Sequence, residues 1–168
     1  GIEMINEVIW YKRNAFPNLS GRRLTASHET ILWTHSGGKK RNYYFDYEYS
    51  KNGEFAGDGL KSPGKQMRTV WDLSNNKKPD ELKYGKHPTQ KPIKVLSRII
   101  KLSSRPGDIM LTPFAGAGSE CVAAKMTGRH YIGFETEEEY CKISEERLAH
   151  TEQENEQMNL FQIKQEET

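Results

Sequence analysis

The chain is short of several things, and each shortage excludes a class of protein. Only two of its 168 residues are cysteine, Cys121 and Cys141. That is too few for a disulfide scaffold or a four-ligand zinc site, and a reducing, cytoplasmic setting fits. No apolar run approaches the ~18 consecutive residues of a membrane-spanning helix, so no membrane contact is expected. The first ten residues carry Glu3 and Glu7 and no basic flank, which argues against a signal peptide. The chain opens on Gly1 rather than Met, which fits a processed or partial polypeptide. Apolar residues make up 35% of the chain against 29% charged. The 10% that are aromatic nevertheless argue for folding over disorder, and the length favours one domain.

Charge is uneven. Residues 151–168 hold five Glu against Lys164 alone, a balance of −4, within a total of +2. Residues 35–94 hold thirteen Lys/Arg against seven Asp/Glu, an excess of +6. A basic stretch with interleaved aromatics suits a polyanion such as DNA, although charge alone favours a plainer reading, a solvated lysine-rich surface.

Residues 5–12, with Val8, Ile9, Trp10 and Tyr11, read as a strand, and residues 27–34 as a second. Asn42 to Tyr49 alternates and is rich in tyrosine, so it is expected to form a hairpin with the second strand. From 50 to 85 glycines and prolines break the pattern, with one short apolar run at 67–73. A loop-rich stretch of that length is often functional. After Pro92 the apolar residues Ile93, Leu96, Ile100 and their neighbours recur with helical spacing. A short strand follows at 109–111, then a helix opening at Gly116 and Gly118 and stopping near Gly128, a strand at 130–135 and a surface helix at 137–149. This alternation predicts a parallel α/β sheet. The Glu- and Gln-rich tail from Thr151 is expected to fray.

Two stretches carry the chemistry. In Leu111-Thr112-Pro113-Phe114-Ala115-Gly116-Ala117-Gly118-Ser119 a strand feeds a glycine turn that opens a helix. Glycines let the backbone approach a ligand, and the N–H groups of the helix start are donors. Glu135 closes the next strand, where an acid can accept from ribose hydroxyls. The plain alternative is a tight turn with glycines for packing. The second stretch is His87-Pro88-Thr89-Gln90-Lys91-Pro92, just before a helix whose positive end would lie beside it.

Taken in this order, His87 to Pro92, then Pro113-Phe114-x-Gly-x-Gly, then Gly133-Phe134-Glu135, the chain resembles the cofactor-binding half of a β-type, permuted amino-methylating DNA methyltransferase, of adenine N6 or cytosine N4. Ile9-Trp10-Tyr11-Lys12 and Ser27 to Trp33 resemble the strands that follow the catalytic region in that family. The resemblance covers about residues 1–150. It implies a Rossmann-like α/β fold dependent on S-adenosylmethionine, with an incomplete sheet and a basic, loop-rich target-recognition insertion. Residues 1–34 would be the C-terminal strands of the catalytic subregion, 35–86 the target-recognition region, 87–150 the S-adenosylmethionine-binding subregion and 151–168 a charged tail. His87, Thr89, Gln90, Lys91, Thr112, Pro113, Phe114, Gly116, Gly118, Ser119 and Glu135 would bind the cofactor. Among them Glu135 would hold the ribose and residues 89–91 the methionine end. Lys39, Lys40, Arg41, Lys61, Lys65 and Arg68 would meet double-stranded DNA. The target, adenine N6 by preference, would be flipped from the duplex.

Two departures qualify the resemblance. The family usually has Asp before Pro-Phe, where this chain has Thr112. A hydroxyl cannot offer a charge to the cofactor's ammonium. The family also transfers methyl through an Asp/Ser-Pro-Pro-aromatic tetrapeptide, and the seven prolines here include no adjacent pair. No catalytic residue is therefore assigned in this chain. A missing N-terminal segment or a second polypeptide is expected to supply it, with a second copy of the chain as another cover for the incomplete sheet. The rival readings are an inactive fragment that binds DNA or a partner, and a nucleotide-binding α/β domain of other chemistry. His28 beside Glu29 points to the opposite strand face. Cys121, Cys141, Trp10, Trp33 and Trp71 read as packing residues.

Overall fold

A computed structural model of the chain describes residues 1–37, 43–52 and 64–151. They form two compact units, one of the described residues up to 76 with 102–104, the other of residues 77–101 with 105–151.

The first unit is built on a three-stranded sheet. The strand β1 (Ile2–Tyr11) lies between β2 (His28–Ser36) and β3 (Val70–Asp72). It pairs antiparallel with β2, from Ile2 opposite Ser36 to Tyr11 opposite His28, and parallel with β3. Trp10 and Trp71 face each other in register and are both buried. Each satisfies its indole N–H on a carbonyl, Trp10 on Leu73 at 2.6 Å and Trp71 on Arg68 at 2.9 Å. Burying these rings without stranding a donor is what makes them usable as core.

The expected hairpin between the second strand and residues 42–49 does not form. β2 takes β1 as its partner, and Tyr47–Asn52 is a short helix, α1. Asp46 explains the difference. Its carboxylate accepts the Tyr49 N–H at 2.8 Å and its carbonyl the Ser50 N–H at 3.0 Å, so it caps a helix start where alternation alone reads as a strand. Residue 42 lies outside the described residues.

The second unit is an α/β layer. A 3-10 turn (Pro79–Leu82) precedes α2 (Ile93–Ser103), whose last residues group with the first unit. Then come β4 (Ile109–Thr112), α3 (Ser119–Met126) and β5 (His130–Gly133). Residues 138–151 form a further helix, α4. β4 and β5 are parallel, from Ile109 opposite His130 to Thr112 opposite Gly133. Their core joins Ile93, Leu96 and Ile100 of α2 to Val122, Ala123 and Ala124 of α3, with Met110, Tyr131 and Leu148 packed against it. α3 ends in a Schellman turn. Gly128 sits at φ +74°, its N–H donates to the Lys125 carbonyl at 3.1 Å, and the Arg129 N–H donates to that of Ala124 at 2.8 Å.

Strand alternation sends the neighbours of Met110 and Tyr131 the other way. Ile109, Leu111 and Ile132 are 67, 62 and 47% exposed, so one face of this two-stranded sheet is bare and apolar. The incomplete sheet expected from the sequence is what the structure has. Among the described residues no helix is long and apolar enough to cross a membrane.

Candidate cofactor cleft

The loop from His87 to Pro92 is held by two buried polar side chains. Gln90 donates through Nε2 to the Glu81 carbonyl at 2.9 Å and accepts the His87 N–H at 3.3 Å. Glu81 accepts the Ile93 N–H at 2.8 Å with one oxygen and the Lys78 N–H at 3.1 Å with the other. Glu81 is thus the anion at the positive start of α2, and Gln90 uses its amide as a brace. His87 Nδ1 accepts from the Thr89 N–H at 3.3 Å, which leaves the ring proton of the neutral tautomer on Nε2. The ring stands edge-on to Tyr140, 4.4 Å between centroids.

The glycine turn is held from the opposite side by α4. The Ser144 hydroxyl donates to the Gly116 carbonyl at 3.0 Å. The buried Arg147 guanidinium donates to the Ala117 carbonyl and to the Ser119 hydroxyl. Burial pushes that guanidinium below its ordinary value, against the raising effect of Glu81 and Glu120. Gly116 and Gly118 lie at φ +52° and +69°, in the left-handed region that disfavours a side chain. At 118 packing adds a second demand, because a Cβ there would fall 2.5 Å from Ser144 Oγ. Gly118 is thus required by helix packing as well as by its backbone conformation.

Glu135 ties this turn to the end of β5. Its Oε2 accepts the Gly116 N–H at 2.7 Å, and its Oε1 accepts the N–H groups of Thr136 at 2.7 Å and Glu137 at 3.1 Å. The Glu137 and Thr136 donors lead in holding its carboxyl below the ordinary value. The group stays ionised and keeps acceptor capacity on Oε2.

Loop and turn enclose a cleft of about 210 Å³. His87, Thr89, Gln90 and Lys91 line one side, and Phe114, Ala115, Gly116, Ala117, Ser119 and Glu120 the other. Phe114 is 91% exposed, a large ring presented to solvent. Seven of the eleven candidate residues thus line one space. Thr112, Pro113, Gly118 and Glu135 are not in the lining. Thr112 is buried. Sequence reasoning passed over Glu120, Tyr140, Ser144 and Arg147. For Glu120 a signal was present, an acid in the first turn of the helix that the glycines open. For the others there was none, since they reach the loop or the turn from a separate helix.

Of the candidate DNA contacts, Lys65 and Arg68 are exposed in the first unit. Lys39, Lys40, Arg41 and Lys61 lie outside the described residues.

The family N6_N4_Mtase, DNA methylase, matches residues 1–146. The chain belongs to this DNA methylase family. Among curated relatives, this chain is 45% identical over 148 residues to the type II methyltransferase M2.LlaDCHI of Lactococcus lactis subsp. cremoris, covering 88% of this chain and 52% of that one. It is 44% identical to the type II methyltransferase M2.DpnII of Streptococcus pneumoniae, with the same shares covered. The chain therefore spans about half the length of the curated relatives it matches. Among solved structures it is similar to a complex of M1.HpyAVI with S-adenosylmethionine, at a TM-score of 0.65 and 31% identity over 88% of this chain and 63% of that one. The DNA methylase fold seen here is accordingly the Rossmann-like α/β fold expected from the sequence, with its sheets incomplete within this chain.

Proposed function

We propose that this chain is the recognition and cofactor-binding part of a site-specific DNA methyltransferase, and that S-adenosylmethionine occupies the cleft of the second unit. The observation that carries the reading is the convergence of the His87–Lys91 loop and the Phe114–Glu120 turn on one cleft. The donor set fits the molecule. Lys91 suits a carboxylate, the exposed Phe114 ring offers a face to a purine, and the ionised Glu135 retains an acceptor for ribose hydroxyls. When bound, the cofactor supplies the methyl group, and Lys91, Phe114 and Glu135 fix where it lies relative to an incoming amine.

The acceptor base, for which we propose adenine N6 as the commoner target of this family, would be flipped from double-stranded DNA into reach. Lys65 and Arg68, with the four basic residues outside the described part, would hold the phosphates or base edges. The Asp/Ser-Pro-Pro-aromatic tetrapeptide would come from other polypeptide, and the bare apolar face around Leu111 and Ile132 supports such an association. A second reading is a binding module without turnover, favoured by Thr112 and by the absence of adjacent prolines.

Calorimetric titration of the chain with S-adenosylmethionine, beside Lys91→Met, tests the cleft. Binding that Lys91→Met weakens supports it, and no binding counts against it. Mixing the chain with polypeptide carrying the tetrapeptide, then digesting the DNA for mass spectrometry, separates the readings. N6-methyladenine supports the enzyme and its target, N4-methylcytosine corrects the target, and neither favours the module.

A further inference from the structure

The cleft carries a carboxylate where the motif does not place one. The acid usual before Pro-Phe is absent here. Thr112, which stands in its place, is buried and outside the cleft lining. Glu120, in the first turn of α3, does line the cleft. It is the carboxylate of that lining, and Lys91 is its lysine. One wall is thus anionic and the other cationic across a single small space. An amino-acid end, with an α-ammonium beside an α-carboxylate, is complementary to such a pair.

We infer that Glu120 receives the α-ammonium of the methionine end of S-adenosylmethionine while Lys91 receives its α-carboxylate, so that the charge absent at Thr112 is supplied from the next helix. The inference rests on the proposal that this cofactor occupies the cleft, and it adds the residue that selects for the amino group. The surroundings agree with it. Burial is the largest influence on Glu120 and raises its pKa, while Lys91 and Arg147 act to hold it ionised. A carboxylate poorly solvated in the unliganded cleft gains by meeting a cation there. The competing account is that Glu120 serves only the positive end of α3, as acids in a first helical turn commonly do.

The two accounts separate on one chemical group of the ligand. The full chain and Glu120→Gln are titrated with S-adenosylmethionine and with the same molecule bearing hydrogen in place of the α-amino group. Glu120→Gln is expected to weaken S-adenosylmethionine by about tenfold or more, and the deaminated ligand by less than about twofold, because only the first loses a charge-assisted hydrogen bond. Glu120→Asp, which keeps the charge, is expected to recover part of the loss. It also serves where Glu120→Gln melts early. Equal losses for both ligands, or none for either, overturn the role of Glu120 while leaving the cofactor in its cleft. Failure of the unmodified chain to bind S-adenosylmethionine overturns both the cofactor reading and this inference.

Discussion

Gly118 and Ser144 are pressed together so closely that a Cβ at 118 would lie 2.5 Å from the Ser144 hydroxyl oxygen and 3.2 Å from its Cα. The Ser144 Cβ would lie at 2.8 Å and does not move with the rotamer, so only removal of that side chain relieves the clash. The residue also sits at φ +69°. Gly118→Ala should therefore lower the stability of the second unit by about 2–4 kcal/mol, the sum of left-handed strain and overpacking. Urea denaturation reads this directly. A double-mutant cycle with Ser144→Gly should recover the overpacking part and leave the strain. A zero coupling energy would show that the helix is not the obstacle. It also follows that bulk at 118 tests the fold before it tests the cleft, and that Lys91 is the cleaner probe of ligand contact.

Arg147 supports the same turn through charge. Its guanidinium is 4% exposed and serves the Ala117 carbonyl and the Ser119 hydroxyl at once. Arg147→Met should cost about 2–3 kcal/mol, since it leaves a buried carbonyl without its donor. Arg147→Lys should recover only part of this, since both bonds come from one guanidinium nitrogen whose reach and planar geometry an ammonium does not reproduce. Thermal unfolding of the three proteins checks the order, and Lys unfolding as late as Arg would refute it.

Glu135 gives a pH dependence of definite sign. N–H donation from Glu137 and Thr136 leads in lowering its pKa in the folded chain below the ordinary 4.5. A group depressed on folding stabilises the fold above its unfolded value, and that contribution disappears as pH falls through the folded value. Stability should thus decline as pH drops below about 4.5, and Glu135→Gln should flatten that decline. Asp72, lowered by its hydrogen bond to Arg13, acts in the same direction in the first unit. The difference between the parent and Glu135→Gln, followed by denaturant titration at several pH values, isolates the Glu135 share. Parallel pH curves would contradict it.

Lys65 and Arg68 are exposed beside β3, and Arg68 keeps its backbone carbonyl on Trp71 whatever its side chain does. Replacing both with glutamine should leave the fold intact and weaken DNA binding. If both meet phosphates, the slope of log K against log salt should become shallower by about 2, close to one per lost contact. Fluorescence anisotropy across a salt series measures this. An unchanged slope would remove both residues from the DNA surface, and a loss confined to one DNA sequence would move them from phosphates to base edges.

What could be read from the sequence was what acts over short stretches of chain. The apolar spacing from Ile93 to Ile100 marks α2, the glycines at 116, 118 and 128 bracket α3, and the runs at 5–12 and 27–34 mark β1 and β2. Each depends on neighbours within a turn or two of backbone, where propensity and periodicity operate. The two motifs of the cleft were also legible as separate loops, and the family resemblance joined them.

The partners were decided by tertiary structure. Alternation in β2 says which residues share a face, and it reads the same whether the strand pairs with β1 or with residues 43–49. The local cap at Asp46 turned the latter into a helix and left β1 as the partner. Arg147 and Ala117 are thirty residues apart in sequence. Nothing between them signals that one will hold the other's carbonyl. Such a bond exists only once packing has brought α4 against the glycine turn. The sequence by itself thus determined the elements and the chemistry each loop could offer. The closing of those loops into one cleft, with Glu120 in its lining and Thr112 outside it, was decided by long-range packing, which no local pattern encodes.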